Sequence, residues 1–281
     1  MVGSGHLDAR RFPNLIGGGL LLLGGGAPLA VPSAWGHSAA AGLGALGVMA
    51  AAHGALLAGT LRPNNALFGP VATGFVPAAD GDGTPEVWLT VDDGPDPHDT
   101  PRLLDMLDAA GARATFFVRG DRARAYPELI RRIDQRGHGL GNHTFSHPQA
   151  TFWSLGPARL RREMAGCSEA LAAITGRRPG LFRAPVGHVN PFVHGAAARQ
   201  GLRLVGWSAR GFDGVVRRAG DPEEIVRRIL ATLRPGGIAL LHEGRRGAAG
   251  ERLNLRPMER LLEELAGRGW RAVVPGAERL R

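Results

Sequence analysis

An apolar run, VWLTV, ends in two adjacent carboxylates, Asp92 and Asp93, and a second run, GLGN, is followed by two histidines four apart in HTFSH, His143 and His147. Two imidazoles and one carboxylate suit a divalent cation of intermediate softness and leave coordination positions for water and a substrate oxygen. On one helical turn, a spacing of four would set both imidazoles on a single face. By itself, a pair such as Asp92 and Asp93 is as compatible with a turn or a helix cap. At the end of an extended run, however, neighbouring carboxylates point in different directions, so one can hold a cation while the other takes a proton from bound water. That division of labour belongs to hydrolysis.

Other apolar runs end in the same way. GLF is followed by Arg183, LRLVGW by Asp213, and IALL by His242 and Glu243. Charged and titratable groups gathered at run ends are what the C-terminal edge of a parallel sheet requires, since an active site forms there. The elements that would position them alternate regularly. Strands are expected at Val87–Val91, Ala114–Val118, Gly139–Asn142, Gly180–Phe182, Leu202–Trp207, Ile238–Leu241 and Ala272–Val274. Helices are expected at Pro101–Ala110, Pro127–Arg136, Pro157–Ile174, Pro191–Gln200, Pro222–Leu233 and Pro257–Arg268. Several of these open with proline, whose missing N–H costs nothing in the first turn. Strict alternation predicts an α/β fold of parallel strands with helices outside. No GxGxxG follows the first strand, which argues against a dinucleotide-binding sheet.

Upstream of this pattern the chain changes character. From Phe12 to Leu61 no residue is charged, a run longer than one crossing of a roughly 30 Å hydrocarbon core needs. Pro28, Pro32 and Ser33 interrupt it, so residues 1–61 are expected to form a transmembrane hairpin with helices at about 15–31 and 39–61. Residues 62–85, rich in Pro, Gly, Ala and Asn, read as a linker, and 86–281 as the catalytic domain. Arg10, Arg11 and Arg62 flank the hairpin, which by the positive-inside tendency sets both ends in the cytoplasm of a bacterial-type inner membrane. The net charge of +9 comes from arginine alone, with no lysine in the chain. No basic run is interleaved with aromatics and no helix-turn-helix appears, so the charge points to an anionic membrane surface or acidic substrate and not to nucleic acid. Cys167 is the single cysteine, so no internal disulfide forms. No residue pattern specifies an oligomeric state.

TVDDGPDP from Thr90, HTFSH from His143, RAPVG from Arg183 and LLH ending at His242 stand in an order and spacing that resemble the polysaccharide deacetylase family, the NodB-homology or carbohydrate esterase family 4 enzymes. The resemblance spans about Val87 to Val274. It implies a deformed (β/α)7 TIM-like barrel, a divalent metal that is usually zinc, with cobalt an alternative, and hydrolysis of the N-acetyl group of an amino sugar in a glycan. By position, Asp92 resembles the catalytic base, Asp93, His143 and His147 the metal ligands, and His242 the general acid. Arg183 matches the arginine that orients the base, and Asp213 the residue that holds His242. The chain departs from the family at WSARGFDG, where Arg210 replaces a first aspartate and Gly214 a tryptophan. Loss of that tryptophan is expected to widen the pocket, which suits a lipid-linked sugar at the membrane surface as well as a polymer. A non-catalytic sugar-binding barrel would have lost the base or the acid; Asp92 and His242 both stand. Asn142 and Glu243 read equally as partners that orient the imidazoles or as solvated or turn residues, and His188 and Asn190 read as plain loop residues before contacts to sugar hydroxyls.

Overall fold

The computed structural model describes residues 39–78, 83–214, 221–246, 252 and 255–281. The chain divides into two compact units, Met1–Ala52 and His53–Arg281. Helix α1 (Ala39–Leu61) runs across the division. Its stretch Gly42–Leu61 has a mean hydropathy of 1.5 and is long and apolar enough to cross a membrane. The expected first span at 15–31 lies outside the described residues, and the hairpin with it.

The second unit runs β1 (Glu86–Asp92), α2 (Asp99–Ala109), β2 (Ala114–Val118), α3 (Gly120–Ala125), α4 (Pro127–Gln135), β3 (Gly139–Asn142) and α5 (Pro157–Thr175). It continues through β4 (Leu181–Phe182), α6 (Val193–Ala198), β5 (Arg203–Leu204), β6 (Ala209–Arg210), α7 (Pro222–Thr232), β7 (Ile238–His242), α8 (Leu255–Gly267) and β8 (Arg271–Ala272). Pro127, Pro157 and Pro222 open their helices as expected. Asp221 caps α7 by accepting the Glu223 N–H at 3.2 Å. Strands β1 and β2 are buried at every position, as a parallel sheet covered on both faces demands.

The strands lie parallel in the order β5-β4-β3-β2-β1-β7-β6, with β8 paired to the start of β1. Alternate residues of β1 serve two faces. Val87, Leu89 and Val91 join the larger core beneath the helices, while Trp88 joins an inner cluster with Phe75, Phe117 and Leu240. Thr90 and Asp92 continue that inner face toward the C-terminal edge. In register, Asp92 stands beside Phe117 on β2 and His242 on β7.

The sheet is curled but open, with eight strands where a deformed barrel of seven was expected. Among the described residues β5 and β6 form its two ends. The strand expected at 202–207 is cut to Arg203–Leu204 because its backbone turns to another partner. Ala72 donates to the Leu204 carbonyl at 3.0 Å and accepts from Gly206 at 2.8 Å, drawing the chain out of the sheet before β6 re-enters beside β7. Ala72 and Phe75, inside the stretch read as a linker, are buried among core residues, and Phe75 is fully enclosed.

Candidate active site

Asp93, His143 and His147 converge just past the ends of β1 and β3. Their ligand atoms all lie within 4.8 Å of one another. Asp93 Oδ1 is 3.1 Å from His147 Nε2 and 3.5 Å from His143 Nε2. That oxygen is buried and accepts no hydrogen bond, so a cation would complete it. The ring of His143 turns its Nδ1 to the Arg183 carbonyl at 2.8 Å, which accepts the N–H and leaves the Nε2 lone pair facing Asp93. Burial, reinforced by the neighbouring His143, pushes the His147 imidazole down to about 3, so it stays neutral and able to ligate. For Asp93 burial alone would raise the carboxyl, but His143, His242 and His147 around it hold it well below the usual carboxylate range.

The two histidines do not share a helical face. Thr144 (φ 68°) and His147 (φ 53°) are in the left-handed region, and HTFSH is an irregular loop. Glu163 on α5 shapes it, accepting from the Phe145 and Ser146 N–H groups at 3.1 and 2.9 Å and from the Ser146 hydroxyl at 2.7 Å. Asn142 supports the same loop from inside, accepting the Thr144 N–H at 2.9 Å while donating to the Met164 carbonyl and to Ser168. Asn142 thus fixes the loop and not an imidazole tautomer. Asp93 (φ 76°), Val186 (φ 60°) and Phe212 (φ 65°) are also left-handed, so with His147 four strained non-glycine residues line one cavity.

Beside the three convergent groups, Asp92 is held by Arg183. The guanidinium is fully buried and donates to Asp92 Oδ1 at 2.8 Å, Thr90 Oγ1 at 2.7 Å, and the carbonyls of Gly206 and Val205. The Phe117 ring lies 4.2 Å from it. Asp92 Oδ2 is left 3.7 Å from His143 Nε2. Across the cavity, both oxygens of Asp213 fix His242: Oδ1 lies 3.1 Å from Nδ1, and Oδ2 accepts the backbone N–H at 2.7 Å. Burial opposes a charged imidazole here, yet Asp213, Asp93 and Asp92 outweigh it and raise His242 to about 9.

These seven residues enclose or support a cavity of about 670 Å³, whose wall also includes His188, Trp153, Trp207, Arg210, Phe212, Arg245 and Leu61. The space expected from the missing tryptophan is partly taken by His242, because a Cβ on Gly214 would stand 2.6 Å from the His242 ring. Glu243 does not touch the imidazoles. Burial raises it to about 8, and it accepts from the Thr100 hydroxyl and the Asp96 N–H, bracing the loop after β1. Asn190 is a loop residue, donating to the Leu155 carbonyl at 3.0 Å. Arg245, which binds Asp93 Oδ2, and Glu163 carry no signal in the sequence beyond charge; only the three-residue step from His242 to Arg245 hints at a shared loop.

Residues 79–205 match the model of the polysaccharide deacetylase family. A chitooligosaccharide deacetylase of Bradyrhizobium sp. (strain ANU 289) is 41% identical over 166 residues, covering 59% of this chain and 74% of its own. A peptidoglycan-N-acetylglucosamine deacetylase of Bacillus cereus is 34% identical over 157 residues, covering 56% of this chain and 55% of its own. Among solved structures, a family 4 carbohydrate esterase from Streptomyces lividans in complex with acetate superimposes with a TM-score of 0.60 at 30% identity, covering 70% of this chain and 96% of that one. The curled parallel sheet therefore has a common origin with these enzymes: the chain belongs to the polysaccharide deacetylase family, hydrolases of N-acetyl amide bonds.

Proposed function

We propose that this protein removes the acetyl group from an N-acetylated amino sugar in a glycan, using a divalent cation, zinc or cobalt, held by Asp93, His143 and His147. The observation that carries this reading is the unsatisfied, buried Asp93 Oδ1 facing two imidazole nitrogens, with the Asp92–Arg183 and His242–Asp213 pairs in the same cavity. A cation bound there supplies Lewis-acid polarisation and a more acidic water. Asp92, its Oδ1 engaged by Arg183, keeps Oδ2 to take the proton from the attacking water. A backbone N–H near Val186, a residue of the cavity wall, would stabilise the oxyanion. His242, charged through Asp213, gives its proton to the departing nitrogen as the carbon–nitrogen bond breaks, leaving acetate and a free amine.

The named relatives act on chitooligosaccharide and on peptidoglycan N-acetylglucosamine, which sets the first substrates to try. A second reading, a lipid-linked sugar at the membrane surface, is favoured by Leu61, the last residue of the apolar helix, standing in the cavity wall. With Arg62 directly after that helix, the catalytic unit is assigned to the cytoplasmic face, and a reporter fused after Gly83 tests the side. The activity is tested by acetate release from N-acetylated oligosaccharides and from extracted glycolipids. Chelation should abolish release and zinc or cobalt restore it; release indifferent to metal removal would refute the mechanism.

A further inference from the structure

The rim of the active-site cavity is apolar and open. Leu61, Trp153 and Val186 all line the cavity and are 41%, 38% and 47% exposed. Scattered surface hydrophobics need no explanation, but three around one mouth do. Leu61 is also the residue at which the helix long enough to cross a membrane ends. Nothing flexible separates that helix from the cavity: its end is fastened to the catalytic loops. The Asn64 N–H donates to the Gly187 carbonyl at 3.2 Å, and the Asn64 side-chain amide donates to the Trp207 carbonyl at 2.9 Å. Gly206 lies so close to Asn64 that any side chain there would collide with it. Thr60, one residue inside the helix, is 7% exposed.

A second observation concerns charge. The neighbouring cavity is lined by Arg62, Arg210 and Arg228 together with Trp207 and Phe212. An apolar rim flanked by guanidinium groups and indole is the composition of a surface that lies in the headgroup region of an anionic bilayer.

We propose that the rim formed by Leu61, Trp153 and Val186 docks on the lipid bilayer, so that the cavity opens onto the membrane surface and receives amino sugars carried by lipid. Because the span ends inside the rim, the mouth is held where the helix leaves the hydrocarbon, about 1.5 Å of rise per residue leaving no room for a spacer. The docking rests on α1 crossing the membrane and the lipid-carried substrate on the second reading above, so the labels can fail while hydrolysis of N-acetylated sugars stands.

Spin labels test it in the full chain, reconstituted in vesicles of phosphatidylethanolamine and phosphatidylglycerol. Cys167 is buried, with its thiol pushed up to about 12 by burial, and stays unlabelled. Labels are placed by Trp153→Cys and, separately, by Leu61→Cys. The control is Arg178→Cys, exposed in the turn before β4 at the opposite end of the strands. Rim labels should collide severalfold more often with oxygen than with a water-soluble nickel chelate, relative to the control. Rim labels as open to nickel as Arg178→Cys would overturn the proposal. So would rim labels shielded from both reagents, which would mean that the N-terminal segment or a second copy covers the rim.

Discussion

His242 is set between burial, which disfavours an imidazolium, and three carboxylates, which favour it. The carboxylates win and the group rises to about 9. A residue proposed to give up a proton must carry it, so turnover should fall as pH rises through about 9. Asp213→Asn removes the nearest negative charge, lowers the imidazole, and should carry the alkaline limb of the kcat/KM profile to lower pH; an unmoved limb would show that another group donates the proton. Asp92→Asn should retain metal, since Asp93 is the convergent carboxylate, and should lower kcat by about 10²–10⁴ as the loss of a general base does. Metal content and rate measured on the same sample separate the two roles. Arg183 has a third kind of importance. Its guanidinium and its Asp92 partner are 0% and 4% exposed, so Arg183→Met leaves a buried carboxylate alone and should cost about 3–5 kcal/mol in chemical denaturation. A loss below about 1 kcal/mol would mean that Asp92 takes up its proton or finds water.

At the scale of elements, the site is an edge effect of parallel register. β1 and β7 lie side by side with Asp92 opposite His242, so the proposed base and acid are neighbours before any loop is considered. The edge was legible, because each apolar run announces a strand and the ionisable residue after it announces the strand's end; the pairing of β1 with β7 was not. The conformation of HTFSH was not legible. A spacing of four reads as a helical face, yet the loop is drawn into left-handed turns by Glu163, which binds the Phe145 and Ser146 N–H groups across eighteen and seventeen positions of sequence. Local pattern carries no trace of such a partner. Glu163→Gln keeps one acceptor oxygen and loses the charge, so the loop should hold His147 less firmly. Zinc affinity, read by competition with a chromophoric chelator, should weaken by about 10–100-fold, the range seen when supporting partners of metal ligands are removed. Unchanged affinity would place the organising force in Asn142 instead, which braces Thr144 from the other side.

For the whole molecule, alternation of strand and helix was readable because a parallel sheet buries both faces and so needs long apolar runs. The opening of the sheet was not. It depends on Ala72 taking the backbone groups of Leu204 and Gly206, a pairing between distant segments whose residues show no strand-like alternation around Ala72. Within the stretch 62–85 the same small residues that suggest a linker allow close packing, with Phe75 fully buried and Phe68 packed against a second cluster. The site, then, is assembled from both ends of the second unit, with Asn64 against Trp207 on one side and His242 against Gly214 on the other. A cation joining β1 to the loop after β3 should stabilise that entire unit, because it binds the folded arrangement and not the open chain. At a free concentration of about 100 Kd, linkage gives about 2.7 kcal/mol, or a rise in Tm of roughly 5–10 °C for a domain of this size. Thermal unfolding of the detergent-solubilised full chain, with and without zinc, measures it. The rise should vanish in His147→Ala and persist in His242→Ala, since only the first removes a convergent ligand atom; equal rises in both variants would place the stabilising zinc elsewhere in the chain.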